Sequence, residues 1–395
     1  MTGLDKWIQI FDSISYSPIL DSILLYLTIA DALILCQVCK GLSHLKHYAL
    51  KKITNINCRL QDFVDDPVIF RSQLGQYEAL VSGAFARGLF DLKPKRVLYL
   101  DVFIREGGDA QQFAEYLKNH ESYTVEKETV RDSMHASRQI SYISSSRPGL
   151  KLRTTVTRGS PIRHILASSY TTACVNIMTW NKAFSMFPID TLVKHRFYPL
   201  KSFDDGFGSC LRELAYQGWT TRDIIWPDLD IAKRLGVTRL RLVGDKFSPV
   251  IPLDTNEISP PTTPNFVITY AQFEILEDTQ PWPALRQSAL LGEPSRQFLS
   301  PKGSFLRLRA EEMVSASIRY AYTTGSNSWK VYVGERLRRW AWLELFKIGI
   351  EGTRWLSLTT FPLVSEISDF DKPETWDYAD DQIPNWYLEW EKQSG

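Results

Sequence analysis

Two features between residues 80 and 109 could bind a phosphate-containing ligand and act on it. Ser82 and Gly83 stand at a predicted helix start, where free backbone N–H groups can approach a phosphate because glycine has no side chain to hold the ligand away. Asp101 lies in the run 97–104, whose β-branched, aromatic and aliphatic residues predict a buried strand. The sequence therefore predicts a helix start, a turn and a strand that carries one acidic residue.

This order of elements resembles the polymerase-beta-type nucleotidyltransferase superfamily, whose signature is a Gly-Gly or Gly-Ser turn before a strand with Asp-x-Asp or Asp-x-Glu. Asp101 matches the second acid, and Tyr99 stands where the first would be. The resemblance also implies a third metal-binding acid on a strand near residues 151–157, which contain no carboxylate. Because nucleotidyl transfer with two metal ions needs several carboxylates to hold Mg²⁺, we expect a catalytically degenerate site.

Further segments extend the resemblance along the chain. They are residues 82–83, 100–103, 157–161, 165–166, 170–172 and 176–183. Together they are similar to a family of uncharacterised filamentous-fungal proteins in which an F-box-like segment precedes a nucleotidyltransferase-like domain. The similarity covers residues 15–235; it implies a particular fold and says little about the substrate.

An apolar stripe at helical spacing lies near the start of the chain, and a second helix that Asp31 can cap follows it. This pattern resembles an F-box, whose short helices dock on the Skp adaptor of a cullin-RING ubiquitin ligase. The alternative is a helical hairpin that packs on the chain's own downstream domain. The candidate partner-binding residues are Ile19, Leu20, Ile23, Leu24, Leu27 and Val38.

Other candidate ligands have competing structural explanations. Lys182, which follows an apolar segment, could bind phosphate, but a charged residue after a core segment usually lies in a solvated loop. Cys36 and Cys39 have zinc-ligand spacing, yet no second Cys/His pair of suitable spacing follows, and a helix would place both on or beside its core face. We therefore expect no cofactor unless the protein is an active enzyme, in which case Asp101 would hold Mg²⁺ with a nucleoside triphosphate.

The composition limits the classes of partner. The 395 residues contain 46 Lys and Arg against 45 Asp and Glu, a net charge of +1, so nothing requires nucleic acid or an anionic membrane. No apolar run approaches the roughly 18 residues that span a bilayer. Five cysteines at irregular positions fit reduced thiols better than a disulfide framework. We expect an intracellular protein, cytoplasmic or nuclear.

The expected fold class is α+β, with 44% hydrophobic residues available for a large core. We divide the chain into an F-box-like helical segment (1–60), a nucleotidyltransferase-like domain (61–246), a Pro-rich connection (247–299) and a C-terminal portion packed on the core (300–395). Two functions fit this organisation. One is a substrate-recognition adaptor whose degenerate core binds an unknown protein target or a nucleotide-like ligand without turnover; the other is a nucleotidyltransferase with an unconventional metal site at Asp101.

Overall fold

The computed structural model describes most of the chain from residue 56 onward. The described residues are 22, 27, 31, 56–91, 96–131, 137–201, 204–226, 240–278, 305–347 and 372–394. The predicted partner-binding residues Ile19, Leu20, Ile23, Leu24 and Val38 lie outside this part. Leu27 lies within it, is half-buried, and packs against a core cluster that contains Phe70 and Leu100.

The described residues form both strands and helices, with runs of consecutive strands, so the protein has a mixed α+β fold. The strands are β1 Leu80–Ser82, β2 Tyr99–Arg105, β3 Thr124–Arg131, β4 Ser137–Ile143, β5 Lys151–Thr157, β6 Asn176–Met178, β7 Lys182–Ser185, β8 Leu240–Leu242, β9 Val250–Pro252, β10 Gln272–Asp278, β11 Phe305–Arg309, β12 Glu311–Met313 and β13 Tyr322–Thr324. The helices are α1 Ile56–Leu60, α2 Pro67–Gln76, α3 Gly83–Gly88, α4 Gly108–Asn119, α5 Pro161–Ser168, α6 Asp205–Tyr216, α7 Phe266–Thr269, α8 Asn327–Lys347 and α9 Ile383–Ser394.

A large mixed sheet holds the central part of the described chain together. Its strand order is β3-β4-β5-β2-β1-β6-β7-β9. Strands β2 and β5 run parallel, whereas the other neighbours in this sheet run antiparallel. Smaller sheets have the orders β11-β10-β8 and β12-β13. Because β9 joins the large sheet, this sheet extends past residue 246, where we expected its domain to end.

The central strand β2 separates two parts of the core. Leu100, Val102 and Ile104 are buried in the first cluster, together with α2 and α4. The alternate residues Tyr99, Asp101 and Phe103 are half-buried on the opposite face, because successive side chains of a strand point to opposite sides. A second cluster lies on that face and includes residues of α5. The sequence prediction of a buried strand carrying Asp101 is confirmed.

Local signals set several helix starts. The Asp66 carboxylate accepts hydrogen bonds from the backbone N–H groups of Val68 and Ile69, at 2.9 and 3.0 Å, and Pro67 begins α2. Pro161 begins α5, as the sequence predicts. Asp109, which follows two glycines, is predicted from the sequence to cap α4. This prediction is wrong: Gly107, with φ 139°, is the cap residue, and Asp109 lies in the first helical turn. The positive φ explains the choice of glycine.

The C-terminal part differs from the sequence prediction in two elements. The aromatic and β-branched composition of residues 329–333 predicts a strand, but they belong to the helix α8. Residues 265–275 also read as a strand, yet the segment begins with the short helix α7. Helical spacing predicts Leu343 and Phe346 in the core, whereas both are exposed. The third core cluster packs α8 against α9 through Trp329, Val333, Leu337, Ile383, Tyr387 and Trp390. Within the described residues, no helix is both long enough and apolar enough to cross a membrane.

Gly325, the residue after β13, lies directly against the backbone of β10, and this close approach can be tested. A Cβ at Gly325 would lie 2.5 Å from the backbone carbon of Phe273 and 2.6 Å from the nitrogen of Glu274. Gly325→Ala is therefore expected to lower the free energy of unfolding by about 1–3 kcal/mol, measured by urea denaturation. Gly334→Ala is the control, since nothing lies within 4 Å of its Cβ position inside α8, and it should stabilise by about 0.5–1 kcal/mol. A neutral Gly325→Ala would contradict the close approach.

Candidate functional site

Three adjacent strands place one residue each in a row across the large sheet. Ser82 of β1 pairs with Asp101 of β2, and Asp101 pairs with Arg153 of β5. Gly83, with φ 72°, then starts α3. A Cβ at Gly83 would lie only 2.7 Å from the Asp101 Oδ2 atom, so glycine is needed there for space as well as for backbone conformation. The structure thus brings together the turn and the acid that the sequence singled out.

The Arg153 guanidinium occupies the space in front of Asp101. Its Nε donates to Oδ1 and its Nη2 donates to Oδ2 at 2.9 Å, which makes a two-point ion pair. Its Nη1 also donates to Glu213 Oε1 of α6 at 2.8 Å. The guanidinium carbon lies 4.0 Å from the centre of the Tyr99 ring, a distance at which cation and ring attract. One cation therefore contacts both carboxylates and the tyrosine.

The electrostatic balance keeps Arg153 charged. Burial opposes the positive charge, but the attraction and hydrogen bonds of Asp101 and Glu213 outweigh it, so the pKa of Arg153 lies above its ordinary value. The Arg153 and Asp101 side chains are 17% and 13% exposed. At this depth solvent screens the pair less than it screens a surface ion pair.

The residues present do not fit a pair of magnesium ions. In the family that the chain resembles, acids would stand at positions 99 and 101 and on a nearby strand. Here Tyr99 offers no carboxylate, Arg153 pairs with Asp101 on the neighbouring strand, and both Asp101 oxygens accept hydrogen bonds from Arg153. Among the residues that the structure describes, no group of three His, Cys, Asp or Glu side chains could hold a metal ion. Magnesium prefers several oxygen ligands in near-octahedral geometry, and this site does not supply them.

A cleft of about 400 Å³ opens in front of this row of residues. Its walls come from β1, β2, β4, β5, α5, α6 and the segment before β6. The lining residues are Ser82, Gly83, Asp101, Phe103, Ser137, Gln139, Arg153, Thr155, His164, Ser168, Ser169, Tyr170, Cys174, Lys201, Asp204, Gly206, Ser209, Cys210 and Glu213. Hydroxyl and amide groups predominate over charged side chains.

The charged groups of the cleft contact one another, a helix end or an aromatic ring. Asp101 and Glu213 both bind Arg153. Asp204 caps α6, because its Oδ1 accepts a hydrogen bond from the Phe207 N–H at 2.7 Å. The Lys201 ammonium lies 5.2 Å from the centre of the Tyr170 ring. The lining thus has three carboxylates against two fixed cations, and it offers no excess positive charge to a polyphosphate.

The sequence-predicted ligand residues occupy different places. Ser82 and Gly83 line the cleft with Asp101, and the Ser82 hydroxyl donates to the Asn176 carbonyl oxygen at 2.8 Å. Lys182 lies on β7, two strands from β1, opposite Pro252, and is not part of the cleft lining. The phosphate-binding role of these residues stays a prediction.

Sequence reasoning missed the residues that define the cleft's electrostatics. The sequence pattern identifies Arg153 only as part of the carboxylate-free run 151–157, and it singles out neither Glu213 nor Lys201. Alternation along 151–157 could have placed Arg153 and Thr155 on one face of a strand. Nothing in the sequence gives the register of β5 against β2, which lies some 50 residues earlier, so the pairing with Asp101 was not readable.

Comparisons with known proteins add a weak structural likeness. No family model matches the chain, and no curated protein matches it. A solved CCA-adding enzyme in complex with CTP is similar over 42% of this chain and 41% of its own, with 19% identity and a TM-score of 0.29. The Thermotoga maritima CCA-adding enzyme complexed with tRNA is similar over 42% of this chain and 40% of its own, with 22% identity and the same TM-score. The chain spans about two fifths of the length of these structures, and the site is interpreted on its own geometry.

Removing the central cation should destabilise the protein. Arg153→Met leaves Asp101 and Glu213 close together without their partner, and we expect the free energy of unfolding to fall by about 3 kcal/mol, as when one member of a buried pair is removed. Arg138→Met is the matched control, because Arg138 and Glu128 pair at the surface, where both side chains are nearly half exposed, and its cost should stay below about 1 kcal/mol. Chemical denaturation measures both, and equal losses would contradict a special role for Arg153.

Proposed function

We propose that the central part of this chain is a catalytically degenerate nucleotidyltransferase-like module that binds a small polar ligand without transferring a nucleotidyl group. The observation that carries the proposal is the two-point ion pair between Arg153 and Asp101. It places a fixed single positive charge where enzymes of the resembled family would hold metal ions. Fold resemblance alone does not establish activity, so the proposal depends on this local chemistry.

Metal binding at Asp101 would require the ion pair to break. A magnesium ion bound by Asp101 would lie within a few ångströms of the Arg153 guanidinium, and two positive charges at such a distance repel strongly in a partly buried site. Moving Arg153 aside would also leave Glu213 without its 2.8 Å hydrogen bond. Both costs oppose a two-metal mechanism and favour binding without turnover.

The cleft favours a neutral, hydroxyl-rich ligand of about nucleoside size. Its volume of about 400 Å³ falls in the range of small-molecule sites. The lining carries three carboxylates against two cations, so it has no net positive charge. It therefore disfavours binding of a triphosphate without metal ions. Phe103 and Tyr170 supply flat apolar surfaces on which a base can stack, and the serine and threonine hydroxyls can bond to a sugar.

The alternative is an active nucleotidyltransferase that uses Asp101 with an unconventional metal arrangement. The close approach of Gly83 to the Asp101 carboxylate favours it, because the resembled family uses such a turn beside a strand acid. Under this alternative Mg²⁺ and a nucleoside triphosphate would enter together, and the triphosphate oxygens would complete the coordination that the protein lacks. Metal dependence separates the two functions.

The adaptor role rests on the F-box-like sequence pattern alone. Leu27 is half-buried against the first core cluster, which fits a segment that covers the chain's own core at this position. Docking on a Skp-type adaptor of a cullin ligase would then use other residues of the stripe. The protein target of such an adaptor stays unidentified.

Titration calorimetry of the full chain tests the binding module. The four common nucleosides are the probes, with ATP and CTP compared in Mg²⁺ and in EDTA. We expect at least one nucleoside to bind with the same affinity in Mg²⁺ and EDTA, and no incorporation of labelled nucleotide into RNA primers. Asp101→Asn should leave incorporation at background.

The variant Tyr99→Asp with Arg153→Asp is the positive control for this titration, because it supplies the missing carboxylates. We expect this variant to bind Mn²⁺, which the wild type does not. Circular dichroism checks that the variant is folded. Nucleotide incorporation by the wild type that requires Mg²⁺ and disappears in Asp101→Asn would overturn the proposal and establish the alternative. Failure of every nucleoside to bind would overturn the ligand class.

The adaptor role is tested by pull-down of the purified chain with a Skp-type adaptor. Stable capture of the wild type is the result expected of an adaptor, and no capture of a folded wild type contradicts it. Leu27→Asp should lower the thermal unfolding temperature, since it puts a charge against the apolar core. An unchanged unfolding temperature together with lost capture would instead place Leu27 on the docking surface.

A further inference from the structure

Two thiols from distant parts of the chain face each other in the wall of the cleft. The Sγ atoms of Cys174 and Cys210 are 3.5 Å apart, although 36 residues separate them. Cys174 ends a 3₁₀ turn, 172–174, just before β6, and Cys210 lies in α6. A disulfide needs a sulfur–sulfur distance of about 2.05 Å, so an approach of about 1.5 Å would join them.

The cleft gives a small oxidant access to both thiols. Cys174 and Cys210 belong to the lining of the 400 Å³ cleft, and each is only partly buried as a residue. Hydrogen peroxide is far smaller than the cleft and can enter it. Cys58, by contrast, is exposed on α1, away from the pair, and it provides an internal reference thiol.

The surroundings of the pair favour Cys174 as the reacting thiolate. The hydrogen bond from Cys210 lowers the pKa of Cys174, and Thr171 and the nearby Arg87 act in the same direction. Burial and the negative charge of Glu213 oppose them, but the net shift is downward. The same hydrogen bond, together with burial, raises the pKa of Cys210. Cys174 is thus placed to attack first, and Cys210 lies at the distance a resolving thiol needs.

We propose that Cys174 and Cys210 form a peroxide-sensitive thiol pair that closes to a disulfide across the cleft wall. The Cys174 thiolate attacks one oxygen of hydrogen peroxide, the O–O bond breaks, and, with one proton, water leaves and a sulfenic acid remains. The Cys210 sulfur then attacks the Cys174 sulfur, expelling hydroxide that takes up the Cys210 proton as a second water. The two sulfurs together lose two electrons, which reduce one peroxide to two waters.

The disulfide would fix α6 against the turn before β6. Glu213, which binds Arg153, follows Cys210 by three residues on α6, so the two side chains lie on neighbouring positions of one helix face. A covalent link at Cys210 would therefore hold Glu213 beside Arg153 and narrow the movement available to the cleft wall. This inference stands whatever ligand the cleft binds.

Peptide mapping of the full chain tests the pair directly. The protein is treated with an equimolar amount of hydrogen peroxide, free thiols are alkylated at low pH, and trypsin is added without reductant. Cleavage after Arg163, Lys182, Lys201 and Arg212 releases peptides 164–182 and 202–212. We expect these two peptides joined, with two hydrogen atoms lost, and separate again after reduction, while Cys58 stays alkylated in most molecules.

Two variants keep the test decisive. In Cys210→Ser the linked peptides must vanish and dimedone must label Cys174 as a sulfenic acid; Cys58→Ser must leave the link unchanged. Oxidised wild type should also unfold about 5 °C higher than reduced protein, since a closed loop restricts the unfolded chain. The proposal is overturned if Cys58 oxidises while peptides 164–182 and 202–212 stay unlinked, or if dimedone labels Cys174 equally in wild type and Cys210→Ser.

Discussion

The ion pair between Arg153 and Asp101 is the interaction on which the cleft depends. It exists because β2 and β5 run parallel with Asp101 opposite Arg153. A shift of the pairing by one residue would turn Arg153 toward the first core cluster, where Leu100 and Leu152 are fully buried. The apolar residues of that cluster therefore fix the register, and the register fixes the pair. The packing of one face of the sheet determines the charge arrangement on the other.

The cation in front of Asp101 limits what this part of the sheet can bind. A strand acid that faces a glycine turn is suited to hold a metal ion and its phosphate ligands. With Arg153 in front of it, Asp101 becomes the fixed partner of a guanidinium that also binds Glu213 and stacks on Tyr99. The pair satisfies the Asp101 carboxylate, whose side chain is only 13% exposed and would be costly to leave without a partner. Tyr99, Asp101, Arg153 and Glu213 thus form one group of side chains in mutual contact.

Local sequence signals predicted the elements around the site better than their mutual positions. The strand with Asp101, the hairpin of β4 and β5, and the helix that Pro161 begins follow from apolar runs, turn residues and proline. The register of β5 against β2 depends on tertiary packing over some 50 residues, so the role of Arg153 was not readable. The start of α8 is a similar case. The aromatic and β-branched composition of residues 329–333 favours a strand, but tertiary packing selects a helix. Trp329, Val333 and Leu337 recur every four residues, and all three are buried.

Helix α6 carries both kinds of chemistry that the cleft wall offers. Asp204 caps it, Glu213 connects it to the cation on the sheet, and Cys210 faces the thiol of Cys174. The turn that contains Cys174 is in turn bound to β1, since the Ser82 hydroxyl donates to the carbonyl oxygens of Asn176 and Cys174. A change in the position of α6 must therefore alter the thiol distance and the Arg153 environment together. Because one helix holds both contacts, the distance between the two thiols and the electrostatics of the cleft are physically coupled.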